Sequence, residues 1–247
     1  MSEPSSSTAT APSLRLSITD PWQAQAIADH GDFLVAYKPP GMSFHREGDA
    51  PGLLDILRQA GHRDLHAVHR LDRITSGLVL VARGAEAARE LGEAFEARRV
   101  TKCYLALSDR KPSKKQGLIS GGMAPGRNGT WRLTREPTLR AVTRFQSVAL
   151  EEGLRLFVLY PQTGRTHQLR VAMKSISAPI LGDTRYGGSA SDRGYLHAYA
   201  LRFDWRGQPV SLVMAPNAGL SFQLPGIAAY LAQLTAAGGT GLPAASP

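Results

Sequence analysis

The chain has 247 residues, of which 43% are hydrophobic and 20% are charged, the profile of a soluble globular protein with a sizeable core. Its formal charge of +9 favours a polyanionic partner, nucleic acid before an anionic membrane. A single cysteine, Cys103, excludes an intrachain disulfide, and no apolar run reaches the ~20 residues of a membrane span, so we expect a cytoplasmic protein.

Both ends of the chain have the composition of disordered tails. Residues 1–13 are rich in Ser, Thr, Ala and Pro, and they lack the basic start and apolar core of a signal peptide. Residues 237–247 are similarly poor in large apolar side chains. We therefore expect one domain over residues 14–236, flanked by a tail at each end.

Strand and helix patterns follow one another between the tails without strict alternation. Short apolar or alternating runs predict strands at 32–38, 76–83, 101–109, 141–150, 154–160, 195–205 and 210–214. Helical spacing of apolar residues predicts helices over 84–99, 165–177 and 226–236. This order predicts an α+β fold, a single domain on a mixed, mostly antiparallel sheet with flanking helices, and not the βαβ rhythm of a dinucleotide-binding fold.

The positive charge is concentrated in one segment. Residues 109–144 contain nine Lys or Arg against two acids, a net charge of +7. The glycine-rich stretch 121–129 within it matches no phosphate-binding motif, so we interpret it as a flexible loop. The segment is either a surface that packs against phosphates or a solvated hairpin with no partner.

Metal and nucleophile signatures are weak. His62, His66 and His69 have a spacing that could line one helix face, but no acid or second cysteine completes a ligand set, so we expect no metal. Ser76 lacks the frame of a catalytic serine, and Cys103 lies in an apolar strand where packing explains it.

Asp72 lies between Arg70 and Arg73, just before an apolar run. Taken alone, it is most simply explained as a structural ion pair or a turn cap. Two other stretches make a functional role more attractive. "YPQTGRTHQLRV" (160–171) passes from a strand through a turn into a helix beginning at Arg165, whose side chain could reach an acid elsewhere. "KCYLAL" (102–107) places Tyr104 beside the basic segment, as base stacking would require.

These stretches, in this order, resemble the RluA family of pseudouridine synthases. "HRLDRITSGLVL" is similar to the family's catalytic motif and "TKCYLAL" to the strand bearing its active-site tyrosine. "GRTHQLRVAMKSISAPILGDTRYGG" and "VAYKPPGMSFH" resemble its third motif and its opening element. The similarity spans roughly residues 30 to 215.

The resemblance implies an isomerase that converts uridine in transfer or ribosomal RNA to pseudouridine, with an RNA-facing cleft and no cofactor. It implies that Asp72 is the catalytic carboxylate and that Arg165 pairs with it. Tyr104 would stack on the uracil, Arg70 would enter the RNA stack where the uridine leaves, and Leu169 would line the pocket. It leaves attack at C6 of uracil and chemistry at C1′ of ribose as alternatives, and we expect a monomer without a protein partner.

The sequence departs from the family pattern at several points, and other functions compete with the isomerase. The small amino-terminal RNA-binding domain of many relatives is not expected here, and Tyr37 and Ile74 replace the family's usual Asn and acid. A non-catalytic RNA-binding protein on the same fold is the main alternative. A hydrolase would need a second carboxylate, and the nearest candidate, Asp183, we interpret as structural.

Overall fold

The computed structural model describes residues 13–136 and 138–236, so the predicted tails lie outside it except for Ser13. In this part of the chain twelve strands form one sheet, listed here in chain order: β1 Leu14–Leu16, β2 Gln25–Asp29, β3 Phe33–Lys38, β4 Leu65–Ala67, β5 Thr75–Arg83, β6 Thr101–Ser108, β7 Gln116–Pro125, β8 Trp131–Thr134, β9 Ala141–Ala149, β10 Arg155–Pro161, β11 Leu196–Trp205 and β12 Gln208–Met214. The α-helices are α1 Leu53–Gln59, α2 Ala85–Glu96, α3 Gln168–Ser175 and α4 Pro225–Ala236.

The main path of the sheet runs β2-β3-β5-β11-β6-β10-β9-β7-β8. Strand β12 pairs with β11 and β1, and β4 pairs with β5. The pairs β1–β12 and β5–β11 are parallel and the remaining pairs are antiparallel. The expected mixed, mostly antiparallel α+β fold is therefore confirmed. In the described residues no helix is long and apolar enough to cross a membrane.

The central strands are buried on both faces because their side chains alternate between two cores. On β5, Val79 and Val81 join a core that also contains residues of α1, α3 and α4. Leu78 and Leu80 join a second core beneath α2. Such two-sided burial explains why the sequence of β5 reads as a continuous apolar run instead of an alternating one.

The basic segment is more ordered than the sequence indicates. Strand β7 covers most of the stretch expected to be a flexible loop, which continues as a 3-10 turn over Arg127–Gly129. Strand β8 then returns along β7, and Trp131 and Leu133 pack against Tyr186 and helix α3. The expectation of a loop was wrong because glycines that break local patterns are held here by pairing with β8 and β9.

Candidate active site

Five residues singled out in the sequence line one cavity of about 460 Å³: Arg70, Asp72, Tyr104, Arg165 and Leu169. They come from three separate parts of the chain, namely the loop between β4 and β5, strand β6, and the turn and helix that follow β10. The sheet brings these parts together because β6 lies between β11 and β10, with β5 on the other side of β11.

Hydrogen bonds from Lys38 connect the loop that carries Asp72 with the loop that follows β3. The Lys38 ammonium donates to the carbonyl oxygens of Pro39, Met42 and Arg73 at 2.9, 2.8 and 3.3 Å. Lys38 is fully buried, and burial is the main reason that its pKa is lowered to about 7. One side chain thus satisfies carbonyl groups from both loops, which holds the residue next to Asp72 in place.

The charged partner of Asp72 is Arg170, and the expected pairing with Arg165 was wrong. Arg170 Nη1 lies 3.8 Å from a carboxylate oxygen of Asp72. The Nε and Nη2 groups of Arg170 each donate to Asp183 at 2.7 Å. Arg165 instead lies exposed, with its Nε donating to the carbonyl oxygen of Arg140 at 3.3 Å. Arg165 lines the first cavity from the turn before the helix, whereas the buried Arg170 side chain reaches Asp72 from helix α3.

The reason lies in where helix α3 begins. The sequence predicts a helix from Arg165, but the structure begins it at Gln168, because His167 has left-handed backbone angles with φ 56°. The buried Gln168 side chain accepts from the Arg165 backbone N–H at 3.0 Å and from the Thr163 hydroxyl at 2.7 Å. Its amide donates to the carbonyl of Val142 at 3.1 Å. These bonds hold the Arg165 backbone in a turn next to β9, and in the described part of the chain no ion pair forms between Arg165 and Asp72.

Tyr104 and Leu169 provide the apolar part of the cavity. Tyr104 is 8% exposed on β6, opposite Leu159 of β10 and Ala198 of β11, and burial raises its pKa. Leu169, 7% exposed, lies on the first turn of α3. A flat aromatic ring and an aliphatic side chain in one recess form a surface suited to a planar base.

A second cavity of about 470 Å³ shares Arg70, Leu71, Asp72 and His167 with the first. Arg73, Arg170 and Arg185 also line it. Arg70 is exposed where the two cavities meet. The Asp72 carboxylate, with 18% of its side chain exposed, therefore forms part of a wall between two recesses that both carry guanidinium groups.

The described residues contain no cluster of His, Cys, Asp or Glu that could hold a metal ion. Two of the three histidines in the candidate metal pattern have other partners. His66 lies on strand β4 and contacts Asp64, while His69 accepts from the backbone N–H of Leu80 at 2.8 Å and stacks on Phe95.

The RNA pseudouridylate synthase family model matches residues 32–175, which include all five residues predicted to form the site. The chain belongs to this family. It is 45% identical over 200 residues to an uncharacterised RNA pseudouridine synthase of Haemophilus influenzae, covering 80% of this chain and 89% of that relative. As a member of this family it is an RNA uridine isomerase. A human protein, RNA pseudouridylate synthase domain containing 1, has the same fold, with a TM-score of 0.70, 26% identity and coverage of 90% of this chain and 96% of that chain.

A ribosomal large subunit pseudouridine synthase C, from Pasteurella multocida, is 33% identical over 211 residues. The alignment covers 78% of this pseudouridine synthase but 64% of that relative. Another synthase C, from Rickettsia conorii, is 36% identical over 143 residues and is covered over 47% of its length. The chain thus spans about half to two thirds of the length of these two relatives.

Sequence reasoning missed several residues that build the site of this synthase. The buried residues Lys38, Arg170 and Tyr186 are among them. Lys38 bonds to the loop that carries Asp72, Arg170 approaches the Asp72 carboxylate, and Tyr186 contacts Arg170. For Arg170 a signal was present: it is a charged residue enclosed by Leu169, Val171 and Ala172 at the start of a helix. A charge in such an apolar context needs a buried partner, and Asp183 supplies it.

Proposed function

We propose that Asp72 is the catalytic carboxylate of this synthase. The observation that carries the proposal is the position of Asp72 in a cavity that also contains Tyr104, with the buried Arg170 guanidinium 3.8 Å from its carboxylate. A carboxylate can attack C6 of uracil or promote departure of the base from C1′. The fixed guanidinium lies beside the carboxylate and limits its orientation.

The roles of the other predicted site residues follow from the need to extrude the target uridine from the RNA stack. Taking a base out of a stack costs about a few kcal/mol, and stacking on an aromatic ring returns about 1–3 kcal/mol. We assign the stacking surface to Tyr104 and the apolar wall to Leu169. We assign Arg70, which is exposed where the two cavities meet, to the gap that the uridine leaves. Arg165, at the rim, is assigned to substrate contact.

We propose that the RNA is docked by the basic segment 109–144. All nine of its Lys and Arg residues are exposed, and none forms an ion pair with an acid in residues 13–136 or 138–236. Strand β8 of this segment packs on Tyr186, which also contacts Arg170. A phosphate-binding surface is therefore continuous with the wall of the cavity. The names of the synthase C relatives favour ribosomal RNA of the large subunit over transfer RNA.

Pseudouridine mapping of total RNA tests the assignment. The strains compared carry the intact gene, a deletion, Asp72→Asn, or Asp64→Asn as a matched control at an exposed aspartate of the same region. We expect the deletion and Asp72→Asn to lose the same sites, located in large-subunit ribosomal RNA, while Asp64→Asn keeps them. A site that persists with Asp72→Asn would refute the catalytic role. If the deletion changes no site, a non-catalytic RNA-binding protein becomes the better explanation.

A further inference from the structure

Two non-glycine residues that line the cavities have left-handed backbone angles, Arg98 and His167, and of these two His167 borders both cavities. The backbone of His167 is in the left-handed region, with φ 56°, immediately before helix α3. Non-glycine residues seldom adopt this conformation, and those that do are enriched at functional sites where the surrounding structure holds them. The side chain is partly buried and borders both cavities together with Asp72. None of the roles assigned above uses it.

The hydrogen bonds around His167 determine which ring nitrogen carries the proton. The Trp131 backbone N–H donates to the Tyr186 hydroxyl oxygen at 2.8 Å, and His167 Nδ1 lies 2.8 Å from the same oxygen. An amide N–H can only donate, so the hydroxyl proton still needs an acceptor. Within the described residues, His167 Nδ1 is the acceptor at hydrogen-bonding distance from that hydroxyl. Burial lowers the pKa of His167, so the ring is neutral, with its proton on Nε2.

The Nε2–H group is available to a substrate. In the described part of the chain Nε2 has no hydrogen-bond partner, whereas Tyr186 holds Nδ1. Tyr186 is 1% exposed, and the Arg170 guanidinium carbon lies 4.6 Å from its ring centroid, so the hydroxyl is fixed by packing. The His167 imidazole is therefore a neutral, oriented hydrogen-bond donor that borders the same recesses as Asp72.

We propose that His167 is a further catalytic residue, whose Nε2–H donates a hydrogen bond to a carbonyl oxygen of the target uracil and stabilises the negative charge that the ring acquires. This inference rests on the catalytic site proposed for Asp72. Oriented donors of this kind act where charge develops in the transition state, and they need no rearrangement at the moment of reaction.

The reaction provides such a charge by either route. If the bond between N1 and C1′ breaks first, its electron pair stays on the uracil and spreads to the carbonyl oxygens. If Asp72 first adds to C6, the ring again becomes negative, with charge on a carbonyl oxygen. In the first route C1′ is left positively charged, and the Asp72 carboxylate stabilises it. In the second route the bond between N1 and C1′ breaks after the addition, and the bond between Asp72 and C6 breaks once C5 has bonded to C1′, which restores the carboxylate. In both routes the bond between C5 and C1′ forms, the proton on C5 leaves to solvent and N1 takes up a proton, so no co-reactant is consumed. Since His167 Nε2 already carries its proton, the ring acts as a donor and does not remove the C5 proton.

A purely structural role for His167 makes a different prediction, and two variants separate the two roles. His167→Asn can keep the acceptor for the Tyr186 hydroxyl but has no donor at the position of Nε2. Asparagine also tolerates left-handed backbone angles, so we expect this variant to fold. His167→Gln can place an amide N–H near the position of Nε2 and cannot act as a base.

The experiment measures conversion of the mapped uridine in total RNA purified from the deletion strain, with wild-type enzyme, both His167 variants and Asp72→Asn. We expect His167→Asn to lower kcat by about 100-fold with unchanged RNA affinity and Tm, and His167→Gln to stay within about tenfold of wild type. Full kcat in His167→Asn, or equal losses in the two variants, would overturn the role of Nε2–H. An active Asp72→Asn enzyme would instead refute the proposed site, so the two failures are distinguishable.

Discussion

Arg170 holds its guanidinium 3.8 Å from Asp72 because two of its other donors are occupied elsewhere. Nε and Nη2 donate to the two carboxylate oxygens of Asp183 at 2.7 Å each, and the Asp183 side chain is only 2% exposed. A guanidinium fixed by a bidentate bond cannot turn to follow a mobile acid. The pair with Asp183 therefore determines where positive charge is presented to Asp72.

We predict that Arg170→Lys destabilises the protein while Arg165→Lys does not. A lysine keeps the charge at position 170 but cannot reproduce the bidentate bond, so a buried oxygen of Asp183 loses its partner. We expect the free energy of unfolding to fall by about 1–3 kcal/mol. At the exposed Arg165 the change should stay within about 0.5 kcal/mol. Urea unfolding of both variants measures the difference, and equal losses would contradict the assignment of the buried pair to Arg170.

Neutralising the exposed lysines of the basic segment should reduce the salt dependence of RNA binding. Each phosphate contact contributes roughly 0.7–0.9 to the slope of log K against log[salt]. We expect replacement of Lys111, Lys114 and Lys115 with Gln to lower that slope by about 2–3. The measurement is a salt titration of affinity for an unmodified transcript of large-subunit ribosomal RNA.

The matched control for the lysine variant removes the same number of charges at exposed positions elsewhere, namely Arg15 on β1, Arg63 before β4 and Arg89 on α2. Its slope should remain close to that of the wild type. If the slope of log K against log[salt] falls equally in both triple variants, the effect comes from the net charge of the protein. The basic segment would then not be the RNA-docking surface.

Acid should destabilise the protein partly through His197. This residue is 1% exposed, with Nε2 3.0 Å from the Met214 carbonyl oxygen and Nδ1 2.8 Å from the Ser76 hydroxyl. Burial, reinforced by Arg193, lowers its pKa to about 3 from 6.5 in the unfolded chain. Below pH 6.5 His197 is therefore protonated in the unfolded chain, whereas in the folded chain it stays neutral until the pH approaches 3. Stability is lost as the pH falls from about 6.5 toward 3, by up to about 1.4 kcal/mol per pH unit.

Urea unfolding at several values of pH tests this contribution. His197→Gln removes the titrating group, so its free energy of unfolding should depend less on pH below 6.5 than that of the wild type. His30→Gln, at an exposed position, serves as the control and should keep the wild-type dependence. An unchanged dependence in His197→Gln would mean that this buried ring does not contribute to acid unfolding.

Two glycines should respond in opposite directions to replacement by alanine. Gly77 on β5 has φ 114°, and an added Cβ would clash with the carbonyl oxygen of Ala198 on the parallel strand β11. We expect Gly77→Ala to cost roughly 2–5 kcal/mol of stability, from overpacking and backbone strain together. Gly92 lies inside helix α2 with nothing within 4 Å of an added Cβ, so Gly92→Ala should gain about 0.5–1 kcal/mol. Thermal unfolding of the two variants measures both effects, and a neutral Gly77→Ala would show that β5 and β11 can separate locally.

Much of the fold could be predicted from local patterns because those patterns report burial directly. The apolar run at 76–83 became β5, and the helix predicted over 84–99 is observed as α2, Ala85–Glu96. The hairpin predicted from 141–150 and 154–160 is formed by β9 and β10. The glycine-rich stretch 121–129 was misjudged, because its order depends on pairing with distant strands that local composition does not reveal. The monomeric state and the cytoplasmic location stay predictions.

The sequence by itself determined the family, the fold class and a set of residues that converge on one cavity, because long motifs and apolar periodicity are local properties of the chain. Only the tertiary structure decided which arginine faces Asp72. Arg165 and Arg170 lie five residues apart in one motif, and their directions depend on a left-handed residue, a buried glutamine and an acid 13 residues beyond Arg170. Packing determines the partner of a buried charge, because the free-energy cost of burying a charge is offset only where a complementary group lies within hydrogen-bonding distance.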